Sequence, residues 1–523
     1  MTQRILRQAL GFVLTILFAA LPAHAADDLA SRIAAVIDGP EYKQARWGIL
    51  VVDAQTGQTV YERDPDRLFL PASTTKLYSC AAALIALGPD YRFETPVYRR
   101  GPVIKGRLLG DLILVASGDL TLGGRTGADG KMAFKDHDHT YANTPLGRAE
   151  VTDTDPLAGL KALARQVKAA GIDRVEGDVL VDDRLFARAL GSGSGPGLLT
   201  PIIVNDNVID VLITPGAKEG ELAGVRMRPE TGFVQMDAQV TTVAEGRPVR
   251  LDLEVVGLQR FVVRGQIPLQ SPPYVRIYPV DDPAAFARAL FIETLRREGV
   301  IVTASPLQPP RAELPEKDRY NSLERVACFT SPPLSEAIKV TLKVSHNLYA
   351  STLPLLVAVK NGKRTLPEGL RLQGKVLAEL GVPVETISFA GGAGGANADC
   401  VTPRATVQLL QAMARRPEYA VYRAALPVLG VDGTLAEAVA ADSPARGKVR
   451  AKTGTLFWQD LMNDRPLLRS KALAGTLTTA GGRELLFAMF VNDVPLPKNA
   501  SPTREGKVLG RLCEILHQHA PAR

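Results

Sequence analysis

The apolar pattern changes character twice along the chain, and this constrains the architecture more than any other feature. Near the N-terminus, 47–54 reads as a strand, 55–58 as a turn around Gly57, and 59–63 as the returning strand. A helix over 73–87 follows, opened by Pro71-Ala72 and ended by Gly88-Pro89. From about 96 to 318 the texture differs. Short strands such as 108–115 and 175–181 alternate with Gly-, Asp- and Ser-rich loops at 118–130 and 191–198. Within this stretch 215–282 is mostly β, with strands at 224–227, 234–243, 249–256 and 261–267, and a helix over 283–298 follows. After Pro333 the periodicity is helical, over 335–342, 348–359, 367–380 and 403–414. Strands at 449–457, 473–479 and 485–491 and a helix over 503–517 close the chain.

The reading that uses all of this is α+β. The N-terminal hairpin and C-terminal strands share one antiparallel sheet with helices packed on it. This main domain (26–95 and 319–523) is split by a long strand-rich insertion (96–214 and 283–318), itself interrupted by a second β-rich insertion (215–282).

A chain of 523 residues exceeds one ordinary domain. Its 46% hydrophobic and 22% charged residues fit a globular protein and exclude a disordered or fibrous one. Residues 1–25 read as a secretory signal peptide. Arg4 and Arg7 precede the apolar run 9–21, which is too short to span a bilayer comfortably, and Ala23-His24-Ala25 offers a small-x-small cleavage site. Cleavage before Ala26 and an exported, periplasmic location are expected. No later run reaches the ~18 apolar residues of a membrane helix, so no transmembrane anchor is expected. The formal net charge is +7, of which Arg4 and Arg7 supply two. The remaining excess is dispersed, which argues against a nucleic-acid partner and suits peripheral contact with an anionic polymer. Cys80, Cys328, Cys400 and Cys513 match no metal-site spacing, and Cys80, among Ala and Leu, reads as a buried small hydrophobe.

Three short motifs carry chemistry. Ser73-Thr74-Thr75-Lys76 is weak alone, because Ser-x-x-Lys arises roughly once in a few hundred residues by chance. Its position at a helix start puts i and i+3 on one face, where a hydroxyl meets an amine beside free backbone N–H groups. The other reading of Ser73 is a helix cap. The second motif is Ser345-His346-Asn347, and the third is Lys452-Thr453-Gly454-Thr455 at the head of an apolar strand. Each pattern occurs once, in this order. Together they match the Ser-x-x-Lys, Ser-x-Asn, Lys-Thr-Gly set of serine acyl-transfer enzymes.

Longer context narrows the resemblance. The segment Pro71-Ala72-Ser73-Thr74-Thr75-Lys76-Leu77 resembles the nucleophile segment of class C low-molecular-mass penicillin-binding proteins, the D-Ala-D-Ala carboxypeptidase/endopeptidase family. Ser331-Pro332-Pro333-Leu334-Ser335, Val401-Thr402-Pro403-Arg404, Asp432-Gly433-Thr434-Leu435 and Ala451–Leu456 are similar to that family. So are Gly118-Asp119-Leu120-Thr121-Leu122 and Glu176-Gly177-Asp178 in the insertion. The resemblance covers nearly the whole chain after the leader. It implies a penicillin-recognising, β-lactamase-like serine-enzyme fold acting on peptidoglycan stem peptides and β-lactams, without cofactor or metal.

The resemblance also implies roles. Ser73 is the nucleophile. Lys76 is the general base, its amine neutralised by burial beside Lys452. Ser345 relays a proton to the leaving amine, and Asn347 holds Lys76 and the substrate amide. Lys452 and Thr453 bind the terminal carboxylate, and Gly454 lets the substrate backbone lie against the strand. The N–H groups of Ser73 and Thr455 form the oxyanion hole, where one donor is worth about 3–4 kcal/mol of barrier.

The chain departs from the usual pattern at His346, commonly Asp, and at Ser351, often Glu. It also departs in the segment Gly391-Gly392-Ala393-Gly394 and in a long stretch over 457–470. His346 invites a Ser–His pairing, but neighbours on an extended turn point opposite ways. His137 and His139, with Asp136 and Asp138, read as a solvated polar loop because no further ligands are evident. His517 and His519 read as a frayed end. Two other functions fit the same scaffold: a β-lactamase or esterase, and a catalytically weak wall-binding protein.

Overall fold

The computed structural model describes residues 23–144, 148–501 and 504–519. The basic start and apolar run of the expected leader lie outside the described residues, and Ala23-His24-Ala25 form the first turn of the helix Ala23–Ile37.

The N- and C-terminal strands build one five-stranded antiparallel sheet, in the order Thr59–Arg63, Arg46–Asp53, Glu484–Pro495, Arg465–Thr478, Val449–Asp460. Side chains on a strand alternate between faces, and here both faces are covered. Trp47, Ile49 and Val51 pack with Leu29 and Ile33 of Ala23–Ile37 and with Leu512 and Leu516 of the helix Arg504–Gln518. Leu50 and Val52 pack on the other side, with Leu77 and Leu84 of the helix Thr75–Leu87 and Leu409 and Met413 of Pro403–Ala414. Burial on both faces explains the unbroken run Ile49-Leu50-Val51-Val52, where a sheet covered on one side alternates.

The insertion leaves and returns at one place. Glu94–Arg100 and Glu324–Thr330 pair antiparallel, within a four-stranded sheet completed by Asp111–Val115 and Val179–Asp182. The runs read as strands at 108–115 and 175–181 are each broken in two. The consecutive N–H groups of Glu176 and Gly177 donate to the Leu108 and Gly110 carbonyls, each at 3.0 Å, a bulge-like irregularity that interrupts the regular alternation of the ladder. The helix Ala158–Ala169, missed in the loop-rich stretch, buries Leu160, Leu163, Ala164 and Val167 under this sheet. Val208–Thr214 pairs with both Gly224–Arg228 and Tyr274–Pro279, so one sheet joins strands on both sides of the boundary expected at 214/215. Phe233, Val240, Phe261 and Val263 share one core with Leu112, Leu160 and Phe286.

The long stretch after the third motif is the outer half of a hairpin. Val449–Asp460 and Arg465–Thr478 stay paired out to Asp460 and Arg465, with Leu461 and Met462 exposed at the tip. No helix among the described residues is long and apolar enough to cross a membrane. His517, read as a frayed end, is buried, and its Nδ1 lies 2.7 Å from the Thr478 carbonyl. All four cysteines are free thiols, and Cys80 and Cys513 are buried.

Candidate active site

The first two motifs are each anchored by a left-handed residue, Ala72 just before the first and Ser345 within the second. Ser73 lies in a single 3₁₀ turn, Ala72–Thr74, ahead of the α-helix Thr75–Leu87, and Ala72 is left-handed at φ 45°. The cap positions of the two helices are Pro71 and Thr74, so the cap reading of Ser73 fails. Ser345 terminates the helix Leu334–Lys343. The His346 N–H bonds back to the Thr341 carbonyl at 3.0 Å while Ser345 sits at φ 64°, a turn position where glycine is usual. His346 then starts the next helix, Asn347–Lys360, its Nδ1 accepting the Tyr349 N–H at 3.4 Å. Strain of this kind persists only where surrounding structure enforces it.

The third motif occupies an edge of the main sheet. Val449 O accepts from Leu429 N–H and Ala451 N–H donates to Pro427 O, both at 3.0 Å. Backbone polar groups alternate sides with a two-residue period, so those of Thr453 and Thr455 also face outward, into a cleft. Gly454 turns the other way. A Cβ there would lie 2.6 Å from the Pro71 carbonyl and 3.1 Å from the Ala72 Cβ. The absence of a side chain at Gly454 makes room for the turn carrying Ser73.

These pieces meet. Lys76 Nζ is 2.8 Å from Ser73 Oγ, 2.7 Å from Asn347 Oδ1 and 2.9 Å from the Ala393 carbonyl. Asn347 Nδ2 is fixed as the donor by the Ser194 carbonyl at 3.0 Å, so Oδ1 faces Lys76. Two of the three Lys76 partners only accept. A neutral amine spends its two N–H bonds on them and aims its lone pair at the Ser73 hydroxyl. Burial lowers the Lys76 pKa to about 7, against weaker opposing pulls from Cys80 and Asp399. Lys452 is also fully buried, its Nζ 2.8 Å from the Thr453 carbonyl, and Thr453 Oγ1 bonds Thr434 Oγ1 at 2.7 Å. Burial first, and the charge of Lys76 second, hold Lys452 well below its ordinary pKa. Burial alone therefore suffices for Lys76, and the repulsion between the amines is expressed at Lys452.

The cleft measures about 580 Å³. Ser73, Ser345, Asn347, Thr453 and Thr455 line it, with Asp136, Tyr141 and Ser194 from the insertion and Leu456 and Phe457 from the hairpin. Sequence reasoning gave no role to the Ala393 carbonyl, Ser194, Thr434 or Lys471, whose Nζ is 2.8 Å from Thr455 Oγ1. Asp432-Gly433-Thr434 was legible as a family mark, but the backbone acceptor at Ala393 carries no side-chain signal.

The His137–His139 loop is not uniformly solvated. His137 is partly exposed, whereas Asp138 and His139 are buried. His139 bridges Asp206 at 2.7 Å and Asp210 at 2.5 Å. The loop sequence does not reveal these partners, which lie some 70 residues away. Asp138, Asp206 and His346 offer three ligand atoms within 4.8 Å of one another. The Arg125 guanidinium already occupies the cation's place there, 2.8 Å from Asp138 and 2.5 Å from Asp206.

Comparison with known proteins decides the family. Residues 29–512 match the model of the D-Ala-D-Ala carboxypeptidase 3 (S13) family. The chain belongs to this family. A D-alanyl-D-alanine carboxypeptidase of Actinomadura sp. strain R39 is 30% identical over 452 residues, covering 82% of this chain and 76% of that protein. The D-alanyl-D-alanine carboxypeptidase DacB of Haemophilus influenzae is 25% identical over 462 residues, 85% of each chain. The crystal structure of penicillin binding protein 4 (dacB) from Haemophilus influenzae superposes with a TM-score of 0.67 at 23% identity, covering 94% of this chain and 98% of that one. The α+β penicillin-recognising fold expected from the motifs is the fold of this S13 chain.

Proposed function

We propose that the protein is an exported serine D-Ala-D-Ala carboxypeptidase that cleaves peptidoglycan stem peptides through an acyl-enzyme and is acylated by β-lactams. One observation carries the reading: Lys76 Nζ lies 2.8 Å from Ser73 Oγ, with both remaining contacts to acceptor-only atoms. The family and the names of its relatives support the substrate class, and a β-lactam complex of the Haemophilus penicillin binding protein 4 supports the inhibitor class. The leader at 1–25 supports export.

In the proposed mechanism the substrate's terminal carboxylate docks at Lys452 and Thr453. Its charge raises the Lys452 pKa, and the resulting ammonium holds Lys76 neutral. Lys76 takes the proton from Ser73 as Oγ bonds to the penultimate D-Ala carbonyl carbon, and the oxyanion forms against the N–H groups of Ser73 and Thr455. Ser345 passes a proton to the leaving nitrogen, the C–N bond breaks and D-Ala departs. Water then hydrolyses the ester. Release of D-Ala from a muropeptide pentapeptide, lost in Ser73→Ala, tests the reading. A fluorescent penicillin separates it from a β-lactamase. A lasting adduct is expected, and rapid turnover of the label would contradict the assignment.

A further inference from the structure

Behind the second motif lies a set of charges that acyl transfer does not use. Six belong to the insertion: Arg125, Asp138, His139, Asp206, Asp210 and Arg228. Arg125 pairs with Asp138 and Asp206, His139 bridges Asp206 and Asp210, and Arg228 reaches Asp210 at 3.0 Å. Three carboxylates thus face two guanidinium groups and one imidazole, and the charges cancel when His139 is protonated. Its carboxylate neighbours raise the His139 pKa to about 10 against the opposing effect of burial. His346 joins as the neutral member, because burial holds its pKa down.

Asp206 is the centre of this network. It accepts from Arg125 and His139 and from the Tyr349 hydroxyl, and His346 Nε2 lies 3.4 Å away. With Nδ1 accepting the Tyr349 N–H, a neutral His346 ring carries its proton on Nε2, the atom facing Asp206. The backbone that presents Asp206 is strained. Asn205, Asp206 and Asn207 are left-handed in succession, at φ 47°, 54° and 54°. Non-glycine residues visit this region rarely and as single residues. Asn207 Oδ1 accepts the Val204 N–H at 3.1 Å and Asn205 Nδ2 donates to the Val208 carbonyl at 2.9 Å, holding the turn. The other side of the contact is the second motif itself. His346 and Tyr349 flank Asn347 in sequence and stack with ring centroids 3.6 Å apart. Asn347 Oδ1 is the atom that accepts from Lys76.

We propose that Asp206 is a positioning residue for acylation: through His346 and Tyr349 it fixes the strained turn bearing Ser345 and Asn347, and thereby the direction of the Lys76 amine. The insertion is then part of the catalytic apparatus as well as a wall of the cleft. This inference rests on the acyl-transfer reading above.

The test follows the rate and the end point of labelling by a fluorescent penicillin in the full chain, together with kcat and KM for a D-Ala-D-Ala peptide. Asp206→Asn keeps the shape and removes the charge. Acylation and kcat are expected to fall about 30-fold, with KM within about twofold and labelling still complete at long times. Tyr349→Phe, which removes one hydroxyl, is expected to slow acylation about fivefold in the same pattern, and it carries the test if Asp206→Asn does not fold. A folded variant acylating within twofold of the parent overturns the proposal. So does a variant in which only the labelled fraction falls while the rate holds, since that marks a merely structural role. A parent chain that takes up no penicillin sinks the acyl-transfer reading itself.

Discussion

Two regions of this molecule bury charge, and they do so in opposite ways. In the cleft, Lys76 and Lys452 are fully buried with neutral contacts: a hydroxyl, an amide oxygen and backbone carbonyls. Both amines are driven below their ordinary pKa. Behind the second motif, Arg125, Arg228 and His139 are matched against Asp138, Asp206 and Asp210. There the groups are driven toward their charged forms: His139 and Arg125 upward, and Asp138 and Asp206 below the usual carboxylate range. The difference lies in the partners, since Lys76, Lys452, Arg125 and His139 are all buried. A buried cation without a carboxylate becomes a base, and one with a carboxylate becomes a fixed point.

The contrast is sharpest for Lys76→Met, which keeps the shape and deletes the amine. Acylation by penicillin is expected to fall roughly 10³-fold, the loss of a general base. The fold should gain about 1 kcal/mol in urea unfolding, because a desolvated cation without an ionic partner is removed. A loss of stability would show that the cleft is no store of unfavourable charge. The matched region predicts the reverse. Arg125→Met leaves Asp138 and Asp206 facing each other without their guanidinium and should cost about 3–5 kcal/mol of stability. An effect below 1 kcal/mol in the same unfolding assay would remove the distinction between the two regions.

How much of this was legible in the sequence follows the same division. The grouping of the cleft residues was legible because they stand in short motifs of fixed spacing: Ser73 with Lys76, Ser345 with Asn347, Lys452 with Thr453. The main sheet was legible because Ile49–Val52 and the C-terminal runs are apolar without interruption. The matched network was not. Its members are ordinary Asp, Arg and His residues dispersed from Arg125 to Tyr349, and the contacts that pair them are long-range. His139 in an Asp-rich loop is indistinguishable from a solvated residue until Asp206 and Asp210 are brought to it. His346 looked like a catalytic candidate at odds with its turn. Its ring in fact points away from the cleft, caps the helix Asn347–Lys360 and stacks on Tyr349. The breaks at Gly110 and Gly177 arise from a backbone contact between two strands, which periodicity along either one does not encode.

The smallest effect is the one that reads the comparison most directly. In the proposed mechanism Lys76 must be neutral to accept the Ser73 proton, and burial places its pKa at about 7. The neutral fraction is then high at pH 8 and about a tenth at pH 6, so the acylation rate should fall roughly tenfold between them. The direction follows from the sign: a cationic acid with a lowered pKa loses its proton earlier as pH rises, so the base appears earlier and the acid limb lies near 7 instead of 10.5. His139 does not contribute a second limb in this window. Its pKa is raised to about 10, so it stays protonated from pH 6 to 8; the stability that form brings is complete below its ordinary value of 6.5 and declines progressively as pH rises from there to about 10. Penicillin acylation measured against pH, beside urea unfolding at the same pH values, should therefore show activity falling toward pH 6 with no stability loss from His139 to accompany it. An acid limb that stayed near 10 would mean that Lys76 has an ionic partner after all, and the cleft would then hold its charge as the network behind it does.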